Sequence, residues 1–155
     1  MDSEAEYDRI VGALYDAALH PDTWKNAFTD LSAWTGADVF HFLRWDAASQ
    51  QAPFNLHTDG IDQAIEQYGA YYGAIDPRRM LVSQTAPGEV SACQHHFDDR
   101  YVSRSEFYQD YLMREGMRHT LSSVLVDEGD SQMLIGLVRE RQRGAFDDAQ
   151  IGRLQ

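Results

Sequence analysis

The stretch from Glu106 to Val126, EFYQDYLMREGMRHTLSSVLV, changes its hydrophobic period midway, and that change constrains the fold more than any other feature. Phe107, Tyr108, Tyr111 and Leu112 recur at helical spacing, and the pattern stops at Gly116. A β-rich run, Thr120 to Val126, follows at once. Upstream, Tyr68, Tyr71, Tyr72 and the pair Asp76-Pro77 form a second cluster on what reads as another helix. The two clusters point to aromatic-faced helices laid against a sheet, an arrangement able to enclose a small molecule.

The rest of the chain supplies the other layers. Ser3-x-x-Glu6 has the spacing of a capping box, and Tyr7, Ile10, Val11, Leu14 and Ala18 follow at helical spacing. Pro21 suits the first turn of a second helix, with Trp24, Phe28, Leu31 and Trp34 on its apolar face and Gly36 as its stop. From Asp38 the period becomes two, placing Val39, His41, Leu43 and Trp45 on one face and Phe40, Phe42 and Arg44 on the other. Both faces are largely apolar, so this strand should be central and covered on both sides. A polar turn, Asp46 to Gln51, leads to Phe54, Leu56 and Thr58, with Pro53 favouring an edge position and Asp59-Gly60 closing the hairpin.

A third helix carries Ile61, Ile65, Tyr68 and Tyr72 on one stripe. Asp76 then reads as the N-cap, and Pro77 as the first residue, of a short helix through Val82. Glu89 to Cys93 reads as a short strand and Asp98 to Tyr101 as loop; Ser103-x-x-Glu106 reads as a second capping box. Asp127-Glu128-Gly129-Asp130 separates two strands, Thr120 to Val126 and Gln132 to Arg139. Phe146, Asp147-Asp148, Ile151 and Leu154 open a last helix that stops at Gln155 after about two turns, so we expect further protein beyond it. The fold class expected is α+β, an antiparallel sheet with helices on both faces.

Charge narrows the function. Twenty-five acidic residues face 13 basic ones, a net charge of −12, and Lys25 is the sole lysine. Nucleic-acid binding needs clustered cations that displace counterions. The local cluster Arg139, Arg141 and Arg143 is interrupted by Glu140 and reads as a solvated turn. This stretch of chain is therefore not expected to contact DNA itself. No apolar run approaches the ~20 residues that span a bilayer, and the acidic opening (Asp2, Glu4, Glu6, Asp8) argues against a secretory or transit leader. The expectation is a single cytoplasmic domain over residues 1–155.

Motifs for catalysis are sparse. His95-His96, with Cys93 and Asp98-Asp99 nearby, has metal-binding residue types without the usual zinc spacings, and adjacent loop histidines point in different directions, so surface histidines explain it better. Cys93 is a nucleophile only if a neighbouring base lowers its pKa; otherwise it is a buried thiol closing a short strand. Glycine-rich phosphate loops, nucleophile elbows and zinc-protease signatures are missing from the sequence. The chain is expected to be no enzyme, with no cofactor and no resident metal. The tyrosines are more telling: each buried hydroxyl needs a partner, so a cluster of them suits a pocket with apolar walls and a few polar handles, or else the rim of an ordinary core.

Four stretches then fall in a familiar order: Tyr15 to Trp24 containing HPDTW, YGAYYGAIDPRR from Tyr68 to Arg79, SEFYQDYLMREGMRH from Ser105 to His119, and GAFDDAQIGRL from Gly144 to Leu154. Taken together the chain resembles the N-terminal ligand-sensing domain of LuxR-type transcriptional regulators, a PAS/GAF-like α-β-α sandwich. In the quorum-sensing branch a Trp and a Tyr on one helix and the Asp of an Asp-Pro pair hold an acyl-homoserine lactone. Tyr72 and Asp76 match such positions; Tyr68 stands where the Trp is expected, and the spacing into Asp-Pro is shorter. The resemblance implies an unidentified small-molecule ligand, a homodimer, and a C-terminal helix-turn-helix module in the full-length protein. Candidate ligand-binding residues are Tyr68, Tyr72, Asp76, Trp45, Phe54, Tyr108 and Tyr111. The first helices, with Tyr7, Ile10, Leu14 and Trp24, are either the dimer surface or a layer packed on the sheet. A pairing module with a filled core, or a small enzyme using Cys93 and the histidines, are the competing readings.

Overall fold

The structure, a computed structural model, describes residues 3–155; Asp2 of the acidic opening lies outside them. Five antiparallel strands form one sheet in the order β2-β1-β5-β4-β3: β1 (Val39–Asp46), β2 (Gln51–His57), β3 (Val90–Ala92), β4 (Met117–Asp127) and β5 (Ser131–Glu140). Helices cover both faces, which makes the fold α+β. β1 alternates as its sequence dictates: Leu43 and Trp45 enter the core on one side, and Phe40 is fully buried on the other.

One face is covered by α1 (Ser3–Leu19), α2 (Trp24–Thr35) and α7 (Asp148–Gly152), whose Ile10, Phe28, Leu31 and Ile151, with Leu154 just beyond α7, pack on Phe40, Leu121, Ile135 and Leu137. Gly36 ends α2 in the left-handed conformation at φ 81°. Ile10 is therefore committed to this intramolecular layer and the half-exposed Tyr7 packs on Trp34 of α2, while Tyr15 and Leu19 stay exposed. Arg139 departs from the solvated-turn reading. It is 4% exposed, donates to the carbonyls of Gly36 and Ala145, and lies over the Phe146 ring. Its aliphatic stem and flat guanidinium tie the end of α2 to the segment entering α7.

The second face carries the shorter helices. α3 (Asp62–Gln67) runs into a π-helical turn at Tyr68–Tyr72, then α4 (Gly73–Ile75) and α5 (Pro77–Val82). α6 (Asp99–Val102) precedes a second π-helical turn at Phe107–Leu112. The loop expected at Asp98 to Tyr101 is instead this short helix, because the Asp98 carboxylate accepts from the Tyr101 amide and caps it. The capping box expected at Ser103 is displaced as well: Ser103 closes α6, and Ser105 accepts from the Tyr108 amide. The β1–β2 hairpin closes at Ala47–Gln50, with Gln50 at φ 55°, and Asp59-Gly60 turns the chain into α3. Pro53 sits on the edge strand β2, as expected, and Asp127–Asp130 joins β4 to β5.

Candidate functional site

The inner strands carry polar or small residues where an apolar face would be expected. His41 on β1, Gly136 on β5, and Thr120 and Ser122 on β4 all turn toward the α3–α5 side, where His41 is paired with Gly136 and Gly136 with Ser122. Above them the chain from Tyr68 to Val82 folds back on itself. Asp76 ends α4 and caps α5, its carboxylate accepting from the Arg78 amide at 2.9 Å. Pro77 supplies the fixed φ that starts α5.

This cap is also the centre of a buried network. Arg78 holds Asp76 bidentately, Nε to Oδ1 at 3.0 Å and the terminal nitrogen to Oδ2 at 2.9 Å. Its other terminal nitrogen donates to Thr120 Oγ1 at 2.8 Å and so joins α5 to the sheet. The Tyr68 hydroxyl donates to Asp76 Oδ2 at 3.0 Å. Burial and the Asp76 charge push the Tyr68 phenol well above its usual pKa, so it stays a donor. Burial pulls the Arg78 pKa down and Asp76 more than reverses this, leaving a permanent cation. Arg79 lies over Trp45, its Cζ 3.9 Å from the ring centroid, and donates through Nε to the Gly73 carbonyl.

A half-open cavity of about 60 Å³ remains between this network and the sheet, bordered by Tyr68, Asp76, Arg79, His41, Ser122 and Gly136 and by the apolar side chains of Leu43, Val82, Leu134 and Val138. It has room for roughly four water-sized groups. His41 contacts Asn55 Oδ1 at 2.6 Å, and burial lowers its pKa to about 4, so the ring is neutral at pH 7.

Six of the seven candidate residues gather on this side. Trp45, Tyr68 and Asp76 are part of the cavity wall or its support; Tyr72 stacks on Tyr111 at 4.6 Å, and Tyr111 donates to the Ala64 carbonyl. Tyr108 is fully buried beside Phe107, its hydroxyl without a hydrogen-bond partner. Phe54 does not join them. Its pairing opposite Arg44 turns it to the other face, where it meets Phe42 edge-on and is 45% exposed. Both helices that supply the tyrosines do so from π-helical turns, a local widening that recurs at functional sites.

Sequence reasoning missed Arg78, Arg79, His41, Thr120 and Ser122. The available signal was alternation: each of the strand residues stands at an inward position that an ordinary core would fill with an aliphatic side chain. Cys93 is buried and accepts from the Thr120 amide at 3.2 Å, whereas His95 and His96 are exposed. No cluster of three or more metal-ligating side chains occurs among the described residues, and no described helix is long and apolar enough to cross a membrane.

No protein-family model matches the sequence, and no curated protein matches it. Solved structures do share its shape. The ligand-binding domain of VqsR from Pseudomonas aeruginosa superimposes with a TM-score of 0.74 at 16% identity, over 94% of this chain and 85% of that one. The N-acylhomoserine lactone dependent LuxR-family transcription factor CepR2 from Burkholderia cenocepacia gives 0.65 at 19% identity, over 97% and 86%. The chain has the fold of the LuxR-type ligand-binding domains.

Proposed function

We propose that the chain is the signal-sensing domain of a cytoplasmic LuxR-type transcriptional regulator, binding a small molecule between the sheet and the Tyr68 to Val82 segment. Dimerisation then relays occupancy to a helix-turn-helix module elsewhere in the protein. The observation that carries this reading is the buried Tyr68–Asp76–Arg78–Thr120 network at one wall of a small, otherwise largely apolar cavity. A purely structural core gains little from a desolvated ion pair, since apolar residues of the same volume serve at least as well. A ligand shifts the dimer equilibrium only by its affinity difference between the two states. The exposed Tyr15 and Leu19 of α1 remain available for pairing.

The test is a thermal-shift screen of a small-molecule library against the wild type and Gly136→Val, with sedimentation velocity on the compounds that act. A ligand should raise the wild-type melting temperature, raise that of Gly136→Val less or not at all, and change the sedimentation coefficient. The small volume of the cavity favours a second reading, a pairing module without ligand. A constant dimer that no compound shifts would establish it.

A further inference from the structure

We propose that the cavity takes a small carboxylate, gripped by the terminal nitrogens of Arg79 beside the Asp76–Arg78 pair. The proposal deepens the ligand-binding reading above and rests on it. The charges in the site do not balance. Arg78 and Arg79 bring two cations to the cavity wall, Asp76 brings one anion, and His41 is neutral at pH 7. One positive charge is left over on the wall of a half-open cavity, where it attracts an anion more strongly than a fully solvated surface cation does.

The unpaired cation is identifiable. Arg78 uses Nε and both terminal nitrogens on Asp76 and Thr120. Arg79 is only 9% exposed, yet it donates through Nε alone, to the Gly73 carbonyl. Its two terminal nitrogens have no hydrogen-bond partner among the described residues. The Trp45 ring below and the Gly73 carbonyl at its side hold the guanidinium plane in place. A fixed guanidinium edge without a protein partner matches a planar carboxylate through two parallel N–H···O bonds. Ser122 on the cavity wall offers a hydroxyl for a second polar group of the same ligand.

Size and the state of Asp76 set the class. A volume of about 60 Å³ encloses a group of acetate or pyruvate dimensions and is too small to enclose a long acyl chain. A neutral ligand seeking an acceptor would have to compete for Asp76 oxygens that already receive Arg78 and Tyr68.

Isothermal titration with acetate, pyruvate, inorganic phosphate and the neutral acetamide and γ-butyrolactone tests the assignment on wild type, Arg79→Gln and Arg79→Lys. We expect saturable binding of a carboxylate, at least tenfold tighter than acetamide and phosphate. Arg79→Gln should weaken it at least tenfold, and Arg79→Lys, which keeps the charge and loses the fork, should fall between. Should Arg79→Gln fail to fold, Arg79→Lys alone reads the result. Carboxylate binding indifferent to both substitutions, or phosphate binding more tightly, overturns the proposal. Tighter binding of acetamide or γ-butyrolactone overturns the carboxylate assignment while leaving a ligand site in place. Silence from every compound at millimolar concentration also overturns it, and the library screen above then decides the sensor reading separately.

Discussion

Arg78 chelates the carboxylate of Asp76, its neighbour two residues earlier, with bonds of 3.0 and 2.9 Å, while that carboxylate caps the helix on which Arg78 lies. One acidic side chain therefore serves as helix cap, ion-pair partner and acceptor for Tyr68. The three roles are bound to a single folded arrangement of the segment from Tyr68 to Val82.

Removing one partner should be far worse than removing both. Asp76→Ala strips the cap and leaves a buried guanidinium uncompensated, a loss of about 3 to 5 kcal/mol. Arg78→Met removes the cation but leaves Asp76 with Tyr68 and the Arg78-position amide as donors. The double variant Asp76→Ala/Arg78→Met should be more stable than Asp76→Ala alone. Urea denaturation of the three variants and the wild type closes the cycle. A double variant less stable than Asp76→Ala would show that the pair does not act as a unit.

Stability should fall as the solution is acidified. Burial lowers the pKa of His41 from 6.5 to about 4, with Arg78 and His57 opposing its protonation and Asp76 favouring it. The unfolded chain therefore binds a proton that the folded chain refuses. Stability from this group is complete above pH 6.5 and is lost progressively down to pH 4, by about 2 to 3 kcal/mol. His119, lowered to about 4 by burial beside Arg118 and Arg139, acts in the same direction. Melting temperatures across this window should flatten in His41→Gln and flatten further when His119 is replaced too. An unchanged slope in His41→Gln would remove His41 from the account.

Gly73 should refuse a methyl group. A Cβ there would sit 2.9 Å from the Tyr68 ring and its carbonyl and 3.0 Å from Trp45. Alanine favours the helix by about 1 kcal/mol, but overpacking typically costs 1 to 3 kcal/mol. The net expectation is a loss, with Tyr68 pushed away from Asp76. A lower melting temperature together with altered Trp45 fluorescence would confirm the contact; a more stable Gly73→Ala would show that Tyr68 yields without penalty.

What was legible in the sequence was local. The alternation of β1, the Asp76-Pro77 start of α5, the Gly36 stop and the turn at Asp127–Asp130 each depend on residues adjacent in the chain. The tyrosine cluster at Tyr68, Tyr72, Tyr108 and Tyr111 also assembled on one side of the sheet, because both helices dock there. What escaped depends on residues far apart. Phe54 could be given a face only once the β1–β2 register was known. Arginine ordinarily reads as surface, so burial of Arg79 on Trp45, or of Arg139 on Phe146, becomes visible only after β1 and β5 are in place. Arg78 reaches Thr120 across 42 positions of sequence, a separation no local pattern encodes.

Gly136 separates the cavity from the core it interrupts. It lies in the middle of β5 between His41 and Ser122, and a Cβ there would meet Thr120 Cγ2 at 3.8 Å and the His41 carbonyl at 3.9 Å, ordinary contact distances. Gly136→Ala should therefore fit without strain and stabilise the domain by roughly 0.4 to 1 kcal/mol through the unfolded state. The same methyl projects into the space between the sheet and Arg79 and takes room from any guest. The expected result is opposite in the two assays: a higher melting temperature for the free protein and weaker binding of whichever compound acts on the wild type. Gly136→Val, larger and β-branched, should deepen the binding loss. If Gly136→Ala is stabilised while binding is unchanged, the guest occupies a different part of the molecule.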